Sequence, residues 1–366
     1  MKAKRSGIPL IAELAKVSIG TVDRALHGRT GINDETRRRV LAIAKKIGYR
    51  PNLAARSLST GRRIRIGVCV PQELRYFYNE MWDGIHNEVR RYTDRGIDFL
   101  LHPVPELGKG ERQSFRKIVQ SDVSGVVITP GNPEVMTPLI NAAEEQNVRV
   151  ICVSTDAPES QRSCIVCVEP RLNGLMAGEL MAKFVTAGAQ TAIVTGMLKT
   201  VDHREKAEGF SRSFTEYCRG GSVVATIEGH EDPEESFRKT KKLLQRFPDL
   251  AGIYVNTVNC LPVCRALATA ELAGRVRLIA TDLFREMVPL FRAGTIDASM
   301  HQRPYRQGQL AVRTLAEHLL HDTELPPAYY LNPGVILRSN LHLFREASLR
   351  RPGQRGRSAG GSLEGS

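Results

Sequence analysis

From residue 64 onward, short β-branched apolar runs alternate with amphipathic stretches, and the rhythm plays through twice. Segments 64–70, 97–102, 125–129, 148–154 and 164–168 read as strands. Helical spacing separates them at 77–94, 112–121, 136–146 and 172–186. The second round has strands at 191–195, 223–228, 252–256 and 276–281, with helices at 204–217, 233–247 and 263–271. Segments 296–300, 307–321 and 334–337 close the series. Parallel strands need long crossovers, so this alternation predicts parallel sheets with helices on both faces. Two successive rounds in a 366-residue chain predict two such lobes rather than one domain.

The first sixty residues obey a different grammar. Ser18 is placed to cap a short helix in the segment VSIGTVDRALHG, whose Val22, Ala25 and Leu26 make one apolar face. Leu10, Ile11, Leu14 and Ala15 make a second short amphipathic helix just upstream. Two helices at so tight a corner, the second bearing an outward Arg24, fit a helix-turn-helix. Asn33 caps a third helix, with Val40, Leu41, Ala44 and Ile47 as its buried stripe. Charge follows the same division. Residues 1–66 hold 16 Lys and Arg against 4 Asp and Glu, and residues 347–366 hold four Arg against one Glu, so the body between them is slightly negative. A basic head on a near-neutral body implies a polyanionic partner.

Three successive segments now carry a resemblance: VSIGTVDRALHG, NDETRRRVLAIAKKIGYRPN, and LAARSL before a Gly-Arg linker. The chain resembles LacI/GalR-family transcriptional regulators. The resemblance implies a small all-α helix-turn-helix head (1–50), a hinge helix and linker (51–63) and a periplasmic-binding-protein-like effector domain of two parallel-sheet lobes (64–345). Residues 346–366 read as a disordered basic tail. The family places its second helix in the major groove, which here implicates Ser18, Ile19, Gly20, Thr21, Arg24 and His27. Tyr49, Asn52 and Ala55 are implied to accompany them, with Leu58 as a minor-groove wedge. Two departures stand out. The corner residue, commonly Gly, is Lys16, and the base-reading positions after the cap are Ile19 and Gly20, which donate no side-chain hydrogen bond. Direct readout would then rest on Arg24, with Ile19 against a thymine methyl.

In the implied effector fold the chain crosses between lobes three times, expected at 168–171, 299–303 and 326–333. Ligands in such sheets lie at the carboxyl ends of the strands. Asp156, Asn256 and Asp282 each follow an apolar run, Gln302 follows another, and Arg204 opens a helix after one. Each alone reads as a cap, but the set reads as a polar pocket. The segment HREKAEGF resembles the ligand-binding segment of ribose-binding-like proteins, which implies an effector role for Arg204; ASMHQRPYRQG likewise implies Gln302. The same resemblance matches Asp156, Asn256 and Asp282 to ligand residues, and Phe77 and Tyr78 to a ring-stacking pair. The Arg that usually follows the first Asp is Ala157 here. Carboxylates, amides and a guanidinium over aromatic faces suit a sugar or polyol. Trp82 either lines the cleft mouth or packs.

Cys164-x-x-Cys167 lies within a strand, where that spacing turns the thiols to opposite faces. No second pair completes a zinc site, since Cys260 and Cys264 share a helix. Asp202 and His203 beside Arg204 resemble an acid–base pair, yet no nucleophile motif or phosphate loop accompanies them. The expectation is a cytoplasmic, homodimeric, effector-responsive repressor binding double-stranded operator DNA, not an enzyme. It carries no cofactor or metal and no membrane partner. The alternative is a cytoplasmic sugar-binding protein, or a sugar-processing enzyme, with a fused DNA-binding head.

Overall fold

A computed structural model describes residues 8–26, 30–46, 64–72 and 75–348. His27, Ile47, Tyr49, Asn52, Ala55 and Leu58 lie outside the described residues, as do the 51–63 linker and everything after 348.

The described head comprises α1 (Ile8–Ala15), α2 (Ile19–Leu26) and α3 (Asp34–Lys46). Both expected caps form. Ser18 Oγ accepts from the Thr21 amide at 3.1 Å, and Asn33 Oδ1 accepts from the Thr36 amide at 2.7 Å. Lys16 turns the corner at φ 53°, a left-handed conformation costing a side-chain-bearing residue on the order of 1 kcal/mol. Ile11, Ala15, Val22, Ala25, Val40 and Ala44 close a small core. Leu14 and Leu41, expected inside, are 51% and 44% exposed. Ala12 and half-buried Ile43 take those contacts instead. Helices this short bury about one residue per turn, and a shift of one position decides which.

Two six-stranded sheets form the described body. Lobe 1 holds β1 (Ile64–Cys69), β2 (Ile97–Leu101), β3 (Gly125–Ile128), β4 (Arg149–Val153), β5 (Cys164–Val168) and β11 (Ala328–Leu331), in the order β11-β5-β4-β3-β1-β2, all parallel. Lobe 2 holds β6 (Gln190–Thr195), β7 (Ser222–Glu228), β8 (Leu250–Val255), β9 (Arg277–Thr281), β10 (Ala298–His301) and β12 (Gly334–Ile336), in the order β12-β10-β9-β8-β6-β7. Only β12 runs antiparallel to its neighbour. Helices α4 (Arg75–Thr93), α5 (Glu111–Val119), α6 (Pro133–Glu145) and α12 (Pro304–His321) pack on lobe 1. Helices α7 (Pro170–Phe184), α8 (Val201–Tyr217), α9 (Pro233–Arg246), α10 (Leu261–Thr269) and α11 (Met287–Ala293) pack on lobe 2, and α13 (Leu341–Ser348) ends the described chain. The chain passes between sheets after β5, after β10 and between β11 and β12.

Among the described residues, four elements escape the sequence pattern: α11, α13, a short 3-10 helix (Arg338–Asn340), and β11 inside the stretch read as a crossover. Helices α6, α7 and α12 begin two or three residues earlier than their apolar periodicity suggests, each with a proline in its first turn. That proline's missing N–H has no intrahelical partner to lose there. Each sheet is buried on both faces, and Cys164 and Cys167 fall in opposite cores. All seven cysteines are buried.

One contact sets the position of α8. A Cβ on Gly174 of α7 would stand 2.1 Å from the Lys206 carbonyl, and one on Gly209 would stand 2.4 Å from the Arg171 carbonyl. Glycine at both points lets the two helix backbones touch, which fixes α8 against the lobe and aims its first turn at the cleft.

Candidate functional site

On the head, Ser18, Thr21 and Arg24 form one linked row. Ser18 Oγ and Thr21 Oγ1 are 2.9 Å apart, and Arg24 Nη2 donates to Thr21 Oγ1 at 3.4 Å. Ile19, 57% exposed, and Gly20 stand in solvent beside them. Arg24 thus lies back along its own helix, within reach of the surface.

In the body, the carboxyl ends of both sheets face each other. Phe77 and Tyr78, from the first turn of α4, are buried there and meet edge to face with centroids 5.0 Å apart. Lobe 1 adds Ser154 and Thr155 after β4. Lobe 2 adds Asp202, His203 and Lys206 from α8, with Asn256, Thr257 and Gln302 after their strands. Ser154 (φ 73°) and Asp282 (φ 59°) follow the fourth strand of their respective lobes in left-handed conformations. Strain of this kind gathers at ligand clamps because the surrounding fold must enforce it.

Lys206 is the centre of the polar floor. Its Nζ donates to Asp202 Oδ2 at 2.7 Å, to Gln302 Oε1, and to the Asn256 carbonyl at 3.5 Å. Gln302 is fixed in turn by Asp282, whose two carboxylate oxygens accept from the Gln302 amide N–H and Nε2 at 2.7 Å each. Asn256 Nδ2 donates to the His203 carbonyl at 2.8 Å. Its Oδ1, on a fully buried side chain, has no hydrogen-bond partner among the described residues. His203 Nδ1 accepts from the Met197 amide at 3.0 Å, so that nitrogen carries no proton. Burial pushes the His203 pKa down to about 4; the neighbouring Lys206 charge adds to the shift and Asp202 opposes it. His203 Nε2 lies 3.5 Å from Glu231, a carboxylate that also accepts from the Thr257 hydroxyl.

The expected residues thus divide. Phe77, Tyr78, Asn256 and Gln302 come together around the cleft. Asp282 stands one layer behind, holding Gln302. The Asp156 carboxylate is turned aside, gripped by both Nε and Nη2 of Arg162. Arg162 thus supplies the guanidinium that Ala157 lacks. Arg204 is half-buried and does not line the cleft. On α8 it sits 200° from Asp202, and the cation on the cleft face is Lys206. Asp202 and Lys206, four residues apart on one helix face, were the legible signal for this pair. Trp82 packs, its Nε1 donating to the Pro71 carbonyl at 3.0 Å.

Comparison with known proteins places these observations. A family described as "Periplasmic binding protein domain" matches residues 66–323, and one described as "Bacterial regulatory proteins, lacI family" matches residues 9–52. Catabolite control protein A of Priestia megaterium is 24% identical over 249 residues, covering 68% of this chain and 72% of that protein. The protein of the same name from Staphylococcus epidermidis is 23% identical over 332 residues, covering 89% and 94%. Among solved structures, a solute-binding protein of Burkholderia graminis in complex with D-arabinose superposes with a TM-score of 0.71 at 22% identity, covering 76% of this chain and 97% of that one.

Proposed function

The chain belongs to the periplasmic binding protein domain family and carries a lacI-family DNA-binding head, and on that premise we propose that it is a repressor whose grip on operator DNA is set by a small polyhydroxylated effector. The head binds DNA through α2, with Ser18, Thr21 and Arg24 toward the groove and Ile19 against a thymine methyl. Two copies bind one pseudo-palindromic site, with residues 51–63 as the hinge and Leu58 as its minor-groove wedge.

The effector sits between the lobes. Phe77 and Tyr78 cover its C–H face, while Asn256, Asp202, Lys206, Thr155 and Gln302 meet its hydroxyls. Asp282 acts through Gln302, and Asp156 and Arg204 act from the periphery. The observation that carries this reading is Asn256 Oδ1, a buried acceptor at the cleft floor with no partner among the described residues. A buried acceptor without a donor costs roughly 1–3 kcal/mol, and a ligand hydroxyl relieves it. The sugar complex of the Burkholderia graminis neighbour supports the same ligand class.

Calorimetry with a panel of pentoses, hexoses and inositols tests it. One member should bind the wild type, and Asn256→Leu should weaken that binding by a factor of ten or more, roughly 1.4 kcal/mol. Equal affinity in the variant would place the ligand elsewhere.

A further inference from the structure

The turn between β7 and α9 is strained, and it delivers a carboxylate. His230 (φ 49°) and Glu231 (φ 59°) are consecutive and both left-handed, a conformation that side-chain-bearing residues disfavour. The fold holds them there from both sides. The Gly229 and His230 amides donate to the Thr195 and Gly196 carbonyls at 2.7 and 3.0 Å, and the Asp232 amide donates to the Gly229 carbonyl at 2.8 Å. Asp232 then caps α9, accepting from the Glu235 amide at 2.6 Å. The result is that the Glu231 side chain points inward and is only 4% exposed. Gly196 leaves the room for it, since a Cβ there would stand 1.9 Å from Glu231 Oε1. Strain enforced in this way marks a side chain that must be held in one place.

Glu231 does not itself line the cleft, but two residues it holds do. The Thr257 hydroxyl lies 2.8 and 2.7 Å from its two oxygens, and His203 Nε2 lies 3.5 Å from Oε1. A carboxylate only accepts, so the single Thr257 hydroxyl proton goes to Glu231. What Thr257 can then offer a ligand is its oxygen lone pairs. The preceding residue, Asn256, offers the unpartnered acceptor Oδ1. The end of β8 therefore presents two successive acceptors, and a ligand satisfies both only by donating to them. A hydroxyl can do so; an ether or carbonyl oxygen cannot.

We infer that Glu231 is a positioning residue of the effector site, and that by claiming the Thr257 proton it makes this wall of lobe 2 select a ligand with two hydroxyl donors on that side. Glu231 acts through Thr257 and touches no ligand. The inference rests on the reading of the cleft as the site of a polyhydroxylated effector, and it adds the residue that sets the direction of the hydrogen bonds.

A double-mutant cycle on the full chain tests it, read by calorimetry with D-arabinose, D-ribose, D-allose, D-glucose and myo-inositol as probes. Glu231→Gln keeps the shape but puts an amide donor within reach of Thr257, freeing the hydroxyl proton to turn toward the cleft. It should weaken the tightest-binding probe about tenfold or more, and Thr257→Val should do the same. The double variant should lose no more than the worse single variant, because one residue works through the other. Thr257→Ser, which keeps the hydroxyl, should bind nearly as the wild type does. Glu231→Met takes the place of Glu231→Gln in the cycle should the latter fail to fold. Wild-type affinity in the Glu231 variant, or losses that simply add, would overturn the inference and leave the sugar reading standing. A wild type that binds none of the probes would overturn the sugar reading and this inference with it.

Discussion

His203 ties the cleft to pH. Its ordinary pKa near 6.5 falls to about 4 in the fold, chiefly because burial disfavours the imidazolium. The unfolded chain therefore binds a proton that the folded chain refuses. Stability from the neutral ring is full above pH 6.5 and is lost as the pH falls toward 4, by on the order of 3 kcal/mol in total. Gln in its place can still accept from the Met197 amide but cannot titrate. Urea midpoints measured from pH 7.5 to 4.5 should fall less steeply for His203→Gln than for the wild type. Parallel curves for the two proteins would show that acid acts elsewhere.

At the scale of elements, α8 matters most, because it brings Asp202, His203 and Lys206 to the cleft in one turn. Its position depends on the glycines where it crosses α7. A Cβ on Gly209 would meet the Arg171 carbonyl at 2.4 Å and the Leu175 amide at 3.0 Å, both backbone atoms that cannot swing aside. Gly209→Val should therefore destabilise lobe 2 by roughly 1–3 kcal/mol, the usual range for overpacking. Calorimetry should also show effector binding weakened, since the helix must shift for the valine to fit. A variant with unchanged urea midpoint would mean that α7 and α8 part more easily than their contact suggests.

The whole molecule is a basic head joined to a near-neutral body, with positive charge at the other end of the chain as well. Counterion release makes affinity for DNA fall linearly in logarithm with rising salt. Arg24→Ala should cost roughly 1–3 kcal/mol on a selected operator and relax base choice at one position in each half-site. Footprinting should show two-fold symmetry across the site. A single unsymmetrical footprint would dispose of the paired-head arrangement while leaving the DNA-binding head itself in place.

Much of this protein was legible locally. Strand and helix rhythm, the Ser18 and Asn33 caps, the opposed thiols of Cys164 and Cys167, and the two-lobe architecture all follow from periodicity and from side chains bonding within three residues of themselves. Such features depend on neighbours in sequence, so the sequence alone determined them. Other features required the folded chain. β11, with its half-exposed tyrosines, is a strand only because β5 offers it a parallel edge. Arg162 reaches back to Asp156 across a turn that no motif describes. Whether Arg204 or Lys206 faces the cleft was decided by the rotation of α8, which its glycine contact with α7 sets. The stacking of Tyr76 in one lobe on Phe284 in the other, some two hundred residues away in sequence, was decided by how the two lobes pack together. That meeting is a long-range packing event, and local pattern carries no record of it.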